Sequence, residues 1–339
     1  QVRTYFDDSI NTTPSPWSIV EVFIATEATN APTIISPNQG QIMPTQDLYI
    51  EWETIPNQTD FEVQLVRGSQ VVESTHRISS QNNVNLKGWL ENNTSYIVRL
   101  RVLADGQFWS DWAEINISVS YTPPARPVLT LTPNEDEASI EIDIHNPLPQ
   151  GTEPSPISQE LFRREQGGEW IKLADLIPNS NFIDRTVSSE KIYEYRVTVL
   201  ADNDVTNNSL IYSGSVKVIK TVLSNANNPE QFIRLERVRE REGASDFNSI
   251  TKVFAGRRLP VTEFGENLIN DLNIECVVYK NEYDTLKDLI YKQETLLYRD
   301  ARGRKMYVTV PSISINDEFL ERYSIQITFN EVDYKEGID

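Results

Sequence analysis

The side chains that most often do chemistry in proteins are few and scattered in this sequence. His76 and His145 are its only histidines, and Cys276 is its only cysteine. A metal site or a general base needs partner residues at defined spacing, and neither histidine has them. Cys276 stands in an apolar segment typical of a buried strand, so we expect a structural thiol and no intrachain disulfide. The sequence has no nucleophile motif and no glycine-rich phosphate loop, so we expect a non-enzymatic chain with no cofactor.

A short acidic run is the one candidate for a cation site. Glu135, Asp136 and Glu137 are consecutive, and carboxylates are ligands that Ca²⁺ prefers. A calcium site takes several spaced oxygen ligands, and no spaced acidic set accompanies this run. We therefore expect a solvated turn and no metal site.

The densest cationic cluster lies in a short stretch near the C-terminus and consists of Arg299, Arg302, Arg304 and Lys305. Tyr298 and Tyr307 flank it, but a nucleic-acid site would also need a basic domain, and this region is net acidic. Guanidinium groups bind carboxylates bidentately, and an identical acidic subunit offers many. Two interpretations stay open, a solvated hairpin and an assembly contact with another protein subunit.

Phe108, Trp109 and Trp112 form the densest aromatic group. Aromatic rings of this kind can stack on sugar rings. Packing within the core or at a corner of the domain is the commoner role of such residues, so we favour packing here and keep host-surface glycan as a possible partner.

The overall charge narrows the range of partners. The chain has 31 Lys+Arg and 50 Asp+Glu, a net charge of −19. Nucleic acid and anionic membranes attract clustered cations, so we expect neither as a partner. No apolar run approaches the roughly 18 residues that span a bilayer. Residues 1–224 carry 15 cationic against 29 acidic side chains, whereas 225–339 carry 16 against 21, which predicts a domain boundary near residue 224.

An internal repeat defines the architecture. YIVRLRVLAD begins at Tyr96 and YEYRVTVLAD begins at Tyr193, an offset of 193 − 96 = 97 residues. In the first copy, apolar residues alternate with more polar ones, which is the period of a strand with one buried face. A repeat of about a hundred residues has the size of a β-sandwich domain.

Further motifs resemble those of fibronectin type III domains. Trp52 stands where that family keeps a buried tryptophan, and the run from Leu90 to Tyr96 matches its Leu-x-x-x-Thr-x-Tyr corner. The resemblance implies that the hydroxyl of Tyr96 bonds back to the preceding loop, which fixes the crossover between the two sheets. Tyr193 occupies the same corner position in the second copy, where the tryptophan is lost.

Four segments follow from these patterns. Residues 1–30 resemble the last strands of a third, truncated fibronectin type III-like domain, so we expect the visible chain to begin inside a longer array. Residues 31–121 and 122–224 are predicted to be complete sandwiches, and 225–339 a β-rich domain of another type. In that last segment, Tyr283, Leu286, Leu289 and Ile290 recur at helical spacing, which predicts one helix over residues 282–293. Asp300 and Gly303 lie between two predicted strands and indicate a hairpin.

The C-terminal segment resembles the terminal domains of minor and distal tail proteins of long-tailed bacteriophages. The motifs are LYRDARGR at 297–304, the alternating strand that follows, and NEVDY at 330–334. The resemblance implies a tail-tube-like small barrel or sandwich with one helix, a homo-oligomeric ring or trimer, and other tail proteins as partners. It also implies that the sandwiches project as decorations and that the chain resides in the virion tail.

A second interpretation is the accessory part of a secreted bacterial surface protein or polysaccharide-degrading enzyme. In that case the sandwiches would be spacers, and residues 225–339 would bind glycan. The mainly β fold class is the same under both interpretations.

Overall fold

The structure is a computed structural model that describes residues 5–7, 12–14, 30–104, 108–246, 249–266, 268–319 and 321–338. The chain divides into two compact units, Gln1–Tyr121 and Thr122–Asp339. Strands β1 (Tyr5–Asp7) and β2 (Thr12–Pro14) pair antiparallel near the N-terminus. Most of the truncated domain predicted for residues 1–30 lies outside the described residues.

The first sandwich occupies the rest of the first unit. Its strands are β3 (Ile34–Ser36), β4 (Gln41–Met43), β5 (Leu48–Trp52), β6 (Gln58–Arg67), β7 (Gln70–Ile78), β8 (Asn83–Leu86), β9 (Ser95–Ala104), β10 (Phe108–Trp109) and β11 (Ala113–Val119). One sheet has the order β3-β5-β8, and the other β4-β11-β9-β6-β7, with β10 beside β9. Strand β9 is the first copy of the repeated sequence, and its even-numbered residues are buried.

Two polar groups inside this sandwich are satisfied by the chain itself. Trp52 is fully buried, and its Nε1 donates to Gln58 Oε1 at 3.0 Å. The hydroxyl of Tyr96 accepts from the backbone N–H of Glu91 at 3.2 Å. The first contact fixes the core tryptophan, and the second forms the tyrosine corner, of a fibronectin type III-like sandwich. Buried groups of this kind specify one packing arrangement, because each needs its partner.

The second sandwich repeats this plan at the start of the second unit. Its strands are β12 (Val128–Asn134), β13 (Ser139–His145), β14 (Pro156–Glu165), β15 (Ile171–Leu176), β16 (Asn181–Asp184), β17 (Tyr193–Ala201), β18 (Thr206–Asn208) and β19 (Tyr212–Gly214). The sheets have the orders β12-β13-β16 and β15-β14-β17-β18, with β19 also beside β17. The hydroxyl of Tyr193 accepts from the backbone N–H of Ser188 at 3.0 Å.

A closed barrel completes the second unit. The chain contributes β20 (Thr221–Asn225), β21 (Phe232–Asp246), β24 (Ile269–Tyr279), β25 (Leu296–Arg299), β26 (Lys305–Phe319) and β27 (Arg322–Glu331), which close in the order β20-β21-β24-β27-β26-β25. Between β21 and β24, β22 (Ser249–Lys252) and β23 (Val261–Phe264) form a separate two-stranded ribbon. The barrel begins at Thr221, so residues 221–224 belong to it.

One helix, α1 (Lys280–Tyr291), packs on the barrel in the described part of the chain. It buries Leu286, Leu289 and Ile290, as the spacing predicted. The helix begins and ends two residues earlier than predicted. It ends where Gln293 adopts a positive φ of 55° just after the C-cap. The predicted fold class, tandem fibronectin type III-like sandwiches followed by a β-rich domain with one helix, is confirmed.

Replacing Tyr193 by Phe should lower the free energy of unfolding of the second unit by about 1–3 kcal/mol, because the buried N–H of Ser188 loses its acceptor. Chemical denaturation measures this change. Tyr49→Phe on the exposed face of β5 is the matched control and should change stability by less than about 0.5 kcal/mol. Equal effects of the two variants would contradict a special role for the corner.

The thiol of Cys276 should resist alkylation in the native state. It is 1% exposed in the barrel core, and burial together with nearby Glu275 raises its pKa to about 12. The thiolate is the reactive form, so labelling by iodoacetamide at pH 8 should follow unfolding. Rapid labelling of the folded chain would show that the barrel is open at β24.

Candidate functional site

The cationic cluster predicted from the sequence lies on the hairpin between β25 and β26, which we call the arginine hairpin (residues 296–308). Gly303 takes a positive φ of 82° in the turn, and a Cβ built on it would lie 3.8 Å from the carbonyl oxygen of Ser189 in the second sandwich. The turn of the barrel hairpin therefore rests against the corner loop of the second sandwich.

Arg299 crosses from the barrel into that sandwich. It is 1% exposed, and its Nη1 donates to the carbonyl of Ala138 and, at 3.1 Å, to the carbonyl of Val187. Burial lowers its pKa to about 10, so the group is still a cation at neutral pH. Its Nε and Nη2 have no hydrogen-bond partner among the described residues. A buried cation held mainly by carbonyl dipoles is costly unless acids stand nearby.

Asp300 organises the turn beside it. This carboxylate is fully buried, and its Oδ1 accepts from the backbone N–H groups of Arg302 (2.9 Å) and Arg304 (3.1 Å). Its Oδ2 accepts from the hydroxyl of Tyr298 and lies 3.4 Å from Nε of Arg241. The backbone of the turn is therefore hydrogen-bonded to the side chain of Asp300 at its base.

A buried ionic group lies at the same junction. We call Arg163, Asp184, Lys305 and Glu336 the junction cluster. Nη1 of Arg163 donates to both oxygens of Asp184, at 3.0 and 2.8 Å, and Nη2 pairs with Glu336. Glu336 also pairs with Lys305. Two of these residues come from the second sandwich, one from the barrel and one from the C-terminal segment.

Charge pairing controls ionisation in the junction cluster. Burial opposes the charged form of Asp184, but Arg163 and a hydrogen bond from Thr186 outweigh burial and lower its pKa to about 2. The pKa of Glu336 is lowered because Lys305 and Arg163 outweigh the effect of burial. Both acids are therefore ionised at neutral pH and compensate the buried cations.

The C-terminal strap, residues 332–338, closes the junction. Val332 N–H donates to the carbonyl of Tyr307 at 2.8 Å, and Ile338 N–H donates to the carbonyl of Lys172 in the second sandwich at 2.9 Å. The ring of Tyr334 stacks on Tyr307 at 4.3 Å. The strap is thus bound to the barrel at its start and to the sandwich at its end.

A cavity of about 470 Å³ lies beside the strap. Aromatic, amide and charged side chains line it, including Phe182, Tyr307, Tyr334, Asn227 and Glu230. Sequence reasoning missed this cavity and the junction cluster. One local signal existed: Arg163 has the same parity along β14 as buried Gln159 and Leu161, so the alternation places a charge on the inward face.

The four residues of the predicted assembly contact differ in whether they are bound within their own chain. Arg299 and Lys305 are bound within their own chain, as described above. Arg302 is exposed, and half-buried Arg304 has an Nη1 without a hydrogen-bond partner among the described residues. A contact between subunits at this hairpin stays a prediction, for which Arg302 is exposed and Arg304 partly exposed.

Two members of the aromatic group in the first sandwich, Trp109 and Trp112, pack on the guanidinium of Arg101. The guanidinium of Arg101 lies 4.7 Å from the ring of Trp109 and 4.5 Å from that of Trp112, and its Nε donates to Glu62 at 2.8 Å. Both tryptophans are half-buried, whereas Phe108 is 48% exposed. The second sandwich has a similar arrangement, in which the guanidinium groups of Arg164 and Arg196 lie 4.5 and 4.8 Å from the ring centroid of Trp170.

Two of the other side chains considered as possible ligands make contacts within the chain. No group of three or more His, Cys, Asp or Glu side chains there could hold a metal ion. Glu137 of the acidic run pairs with Arg185 at 2.8 Å, and His76 contacts Asp60 at 2.9 Å. No helix among the described residues has the length and apolar character needed to cross a membrane.

Comparisons with known proteins find similar solved structures and no similar sequence. No family model matches it, and no curated protein matches its sequence. Solved structures similar to it include the chicken CNTN1 FN1–FN3 domains, with 12% identity over 55% of this chain and 67% of that chain and a TM-score of 0.26. A second is a two-domain fibronectin type III segment of chicken tenascin, with 13% identity over 55% of this chain and 96% of that chain and a TM-score of 0.23. A third is the fibronectin(III)-like modules of Clostridium thermocellum CbhA, with 14% identity over 55% of this chain and 93% of that chain and a TM-score of 0.24. These overlaps carry no functional argument.

Arg163→Ala should destabilise the second unit by about 3–5 kcal/mol, because Asp184 and Glu336 would lose their buried counter-ion. Chemical denaturation of the full chain measures the loss. Arg67→Ala removes an exposed ion pair with Glu91 in the first sandwich and should cost no more than about 1 kcal/mol. A similar small cost for both variants would contradict the importance of the junction cluster.

The junction cluster should also make the free energy of unfolding depend on pH in the acidic range. The pKa of Asp184 falls from 3.8 to about 2 on folding, so its ionisation stabilises the fold above pH 4 by about 2 kcal/mol, and this contribution is lost as the pH falls through 2. The stability difference between wild type and Asp184→Asn should therefore narrow between pH 4 and pH 2. A constant difference over this range would show that Asp184 has an ordinary pKa.

Proposed function

We propose that the chain is a non-enzymatic structural component of a bacteriophage tail, in which residues 122–339 act as one assembly piece. The observation that carries the proposal is the buried junction cluster, which binds the second sandwich, the barrel and the C-terminal strap to one another. A spacer domain needs no such joint, whereas an assembly piece must hold its contact surfaces in a fixed relation.

The C-terminal sequence supports the tail assignment. Its motifs resemble those of minor and distal tail proteins, and that resemblance implies a small barrel with one helix. The closed barrel with α1 agrees with this expectation. In this role the barrel joins neighbouring subunits in a homo-oligomer and contacts other tail proteins. The first sandwich serves as a decoration or as a spacer toward the host surface.

Particle composition tests this function. Antibodies raised against the full chain should label the tails of purified phage particles from cells that carry the gene, and disruption of the gene should leave tails incomplete until a plasmid copy restores them. Particles with intact tails that lack the chain would refute the proposal.

Charge reversal at the arginine hairpin tests the predicted assembly contact. Arg302→Glu with Arg304→Glu should reduce incorporation into particles, because these two cations remain available to carboxylates of a neighbour. Immunoblots of purified particles measure incorporation. Arg77→Glu with Lys87→Glu makes the same charge change at exposed positions of the first sandwich and should incorporate normally. Normal incorporation of both variants would leave the hairpin a solvated turn.

The aromatic surface of the first sandwich supports a second candidate, the accessory part of a secreted surface protein or polysaccharide-degrading enzyme. Phe108 is exposed next to Trp109, and such rings can stack on sugars. Under this proposal the full chain should bind bacterial wall glycans on an array, and Phe108→Ala should weaken that binding. If the chain binds no glycan and antibodies label the phage tails, the tail component is favoured over the secreted accessory part.

A further inference from the structure

The ribbon formed by β22 and β23 projects from the barrel, and we call residues 249–264 the arm. Its two strands are held by their ladder, by a contact between the hydroxyls of Thr251 and Thr262 at 2.9 Å, and by an ion pair between Lys252 and Glu263 at 2.7 Å. An isolated two-stranded ribbon is marginally stable in water. The arm therefore gains stability if a further surface covers it.

The arm also exposes more apolar surface than a solvated ribbon needs. Five large apolar side chains are between 47% and 82% exposed: Ile250, Val253, Phe254, Leu259 and Phe264. None of them belongs to the packed core of the barrel. Concentrated apolar exposure of this kind marks an interaction surface, so the chemistry of the arm should identify what it binds.

Charge distinguishes the arm from the rest of the molecule. The arm contains Lys252, Arg257 and Arg258 against Glu263, a net charge of +2. The whole chain carries −19, so the remaining residues carry −19 − 2 = −21. Arg257 and Arg258 lie in the turn region of the arm and have no ion pair among the described residues. A partner surface should therefore present carboxylates beside apolar groups.

The second sandwich presents such a surface. A groove of about 310 Å³ is lined by the acidic run Glu135, Asp136 and Glu137, by Glu141, and by Ile183 and Ile219. Glu135 and Asp136 are exposed, and their side chains make no ion pair in the described part of the chain. Ile183 and Ile219 are 36% and 46% exposed. The groove combines negative charge with apolar surface, which complements the arm.

We propose that the arm of one copy of this chain docks into the groove between Glu135 and Ile219 on the second sandwich of a second copy. Arg257 and Arg258 pair with Glu135 and Asp136, while apolar side chains of the arm cover the two isoleucines. The two surfaces differ, so the contact is head-to-tail, and repetition gives a closed ring or an open filament. The inference rests on the proposed assembly function for its biological context, but its test needs only the purified chain.

Paired charge reversals test this contact. Sedimentation velocity and native mass spectrometry should show that the wild-type full chain self-associates as its concentration rises. R257E/R258E in the arm and E135R/D136R in the groove should each leave the chain monomeric. An equimolar mixture of these two variants should associate again, because each acidic arm then meets a basic groove and each basic arm an acidic groove. R77E/K87E, the control on the first sandwich, should associate like wild type.

All substituted positions are exposed, and circular dichroism verifies the fold of each variant. A wild type that stays monomeric at every accessible concentration would overturn the inference. Self-association that both charge-reversed variants retain would also overturn it, since the contact would then lie elsewhere. Loss of association without recovery in the mixture would contradict pairing of the arm with the groove. None of these outcomes bears on whether phage tails contain the chain, so the proposed function is tested separately.

Discussion

The junction cluster is the interaction on which the second unit depends. Arg163 is buried against two carboxylates, and one of them, Glu336, is 173 residues away along the chain. Desolvation makes each of these charges unfavourable alone, so the cluster is stable only when sandwich, barrel and strap are all in place. The cost of separating them is therefore the cost of exposing or orphaning several buried charges, which couples the three parts during unfolding.

The two complete sandwiches share a fold but differ in what they support. Each has its tyrosine corner and an arginine held against tryptophan. In the second sandwich, the buried pair of Arg163 and Asp184 faces inward, and Arg163 also pairs with Glu336 outside the sandwich. The same fold can thus carry another domain on one face when charged residues point inward there.

Sequence periodicity predicted the parts that depend on local pattern. The alternation in β9 and β17, the spacing in α1, and the turn chemistry of Asp300 and Gly303 are all short-range features, and the structure has each of them. The junction could not be predicted in the same way, because its members lie far apart in the chain and only Arg163 carries a local sign of burial, its place in the alternation of β14. Arg299 was assigned to a solvated or intersubunit hairpin for this reason, whereas its guanidinium binds carbonyls of the second sandwich.

Native-state hydrogen exchange tests most directly whether the junction makes one cooperative body of the second sandwich and the barrel. We expect the most protected amides of β17 and β24 to exchange with the same free energy of opening, and Glu336→Ala to lower both free energies equally. Distinct opening free energies for the two strands, or a Glu336→Ala effect confined to one of them, would contradict it.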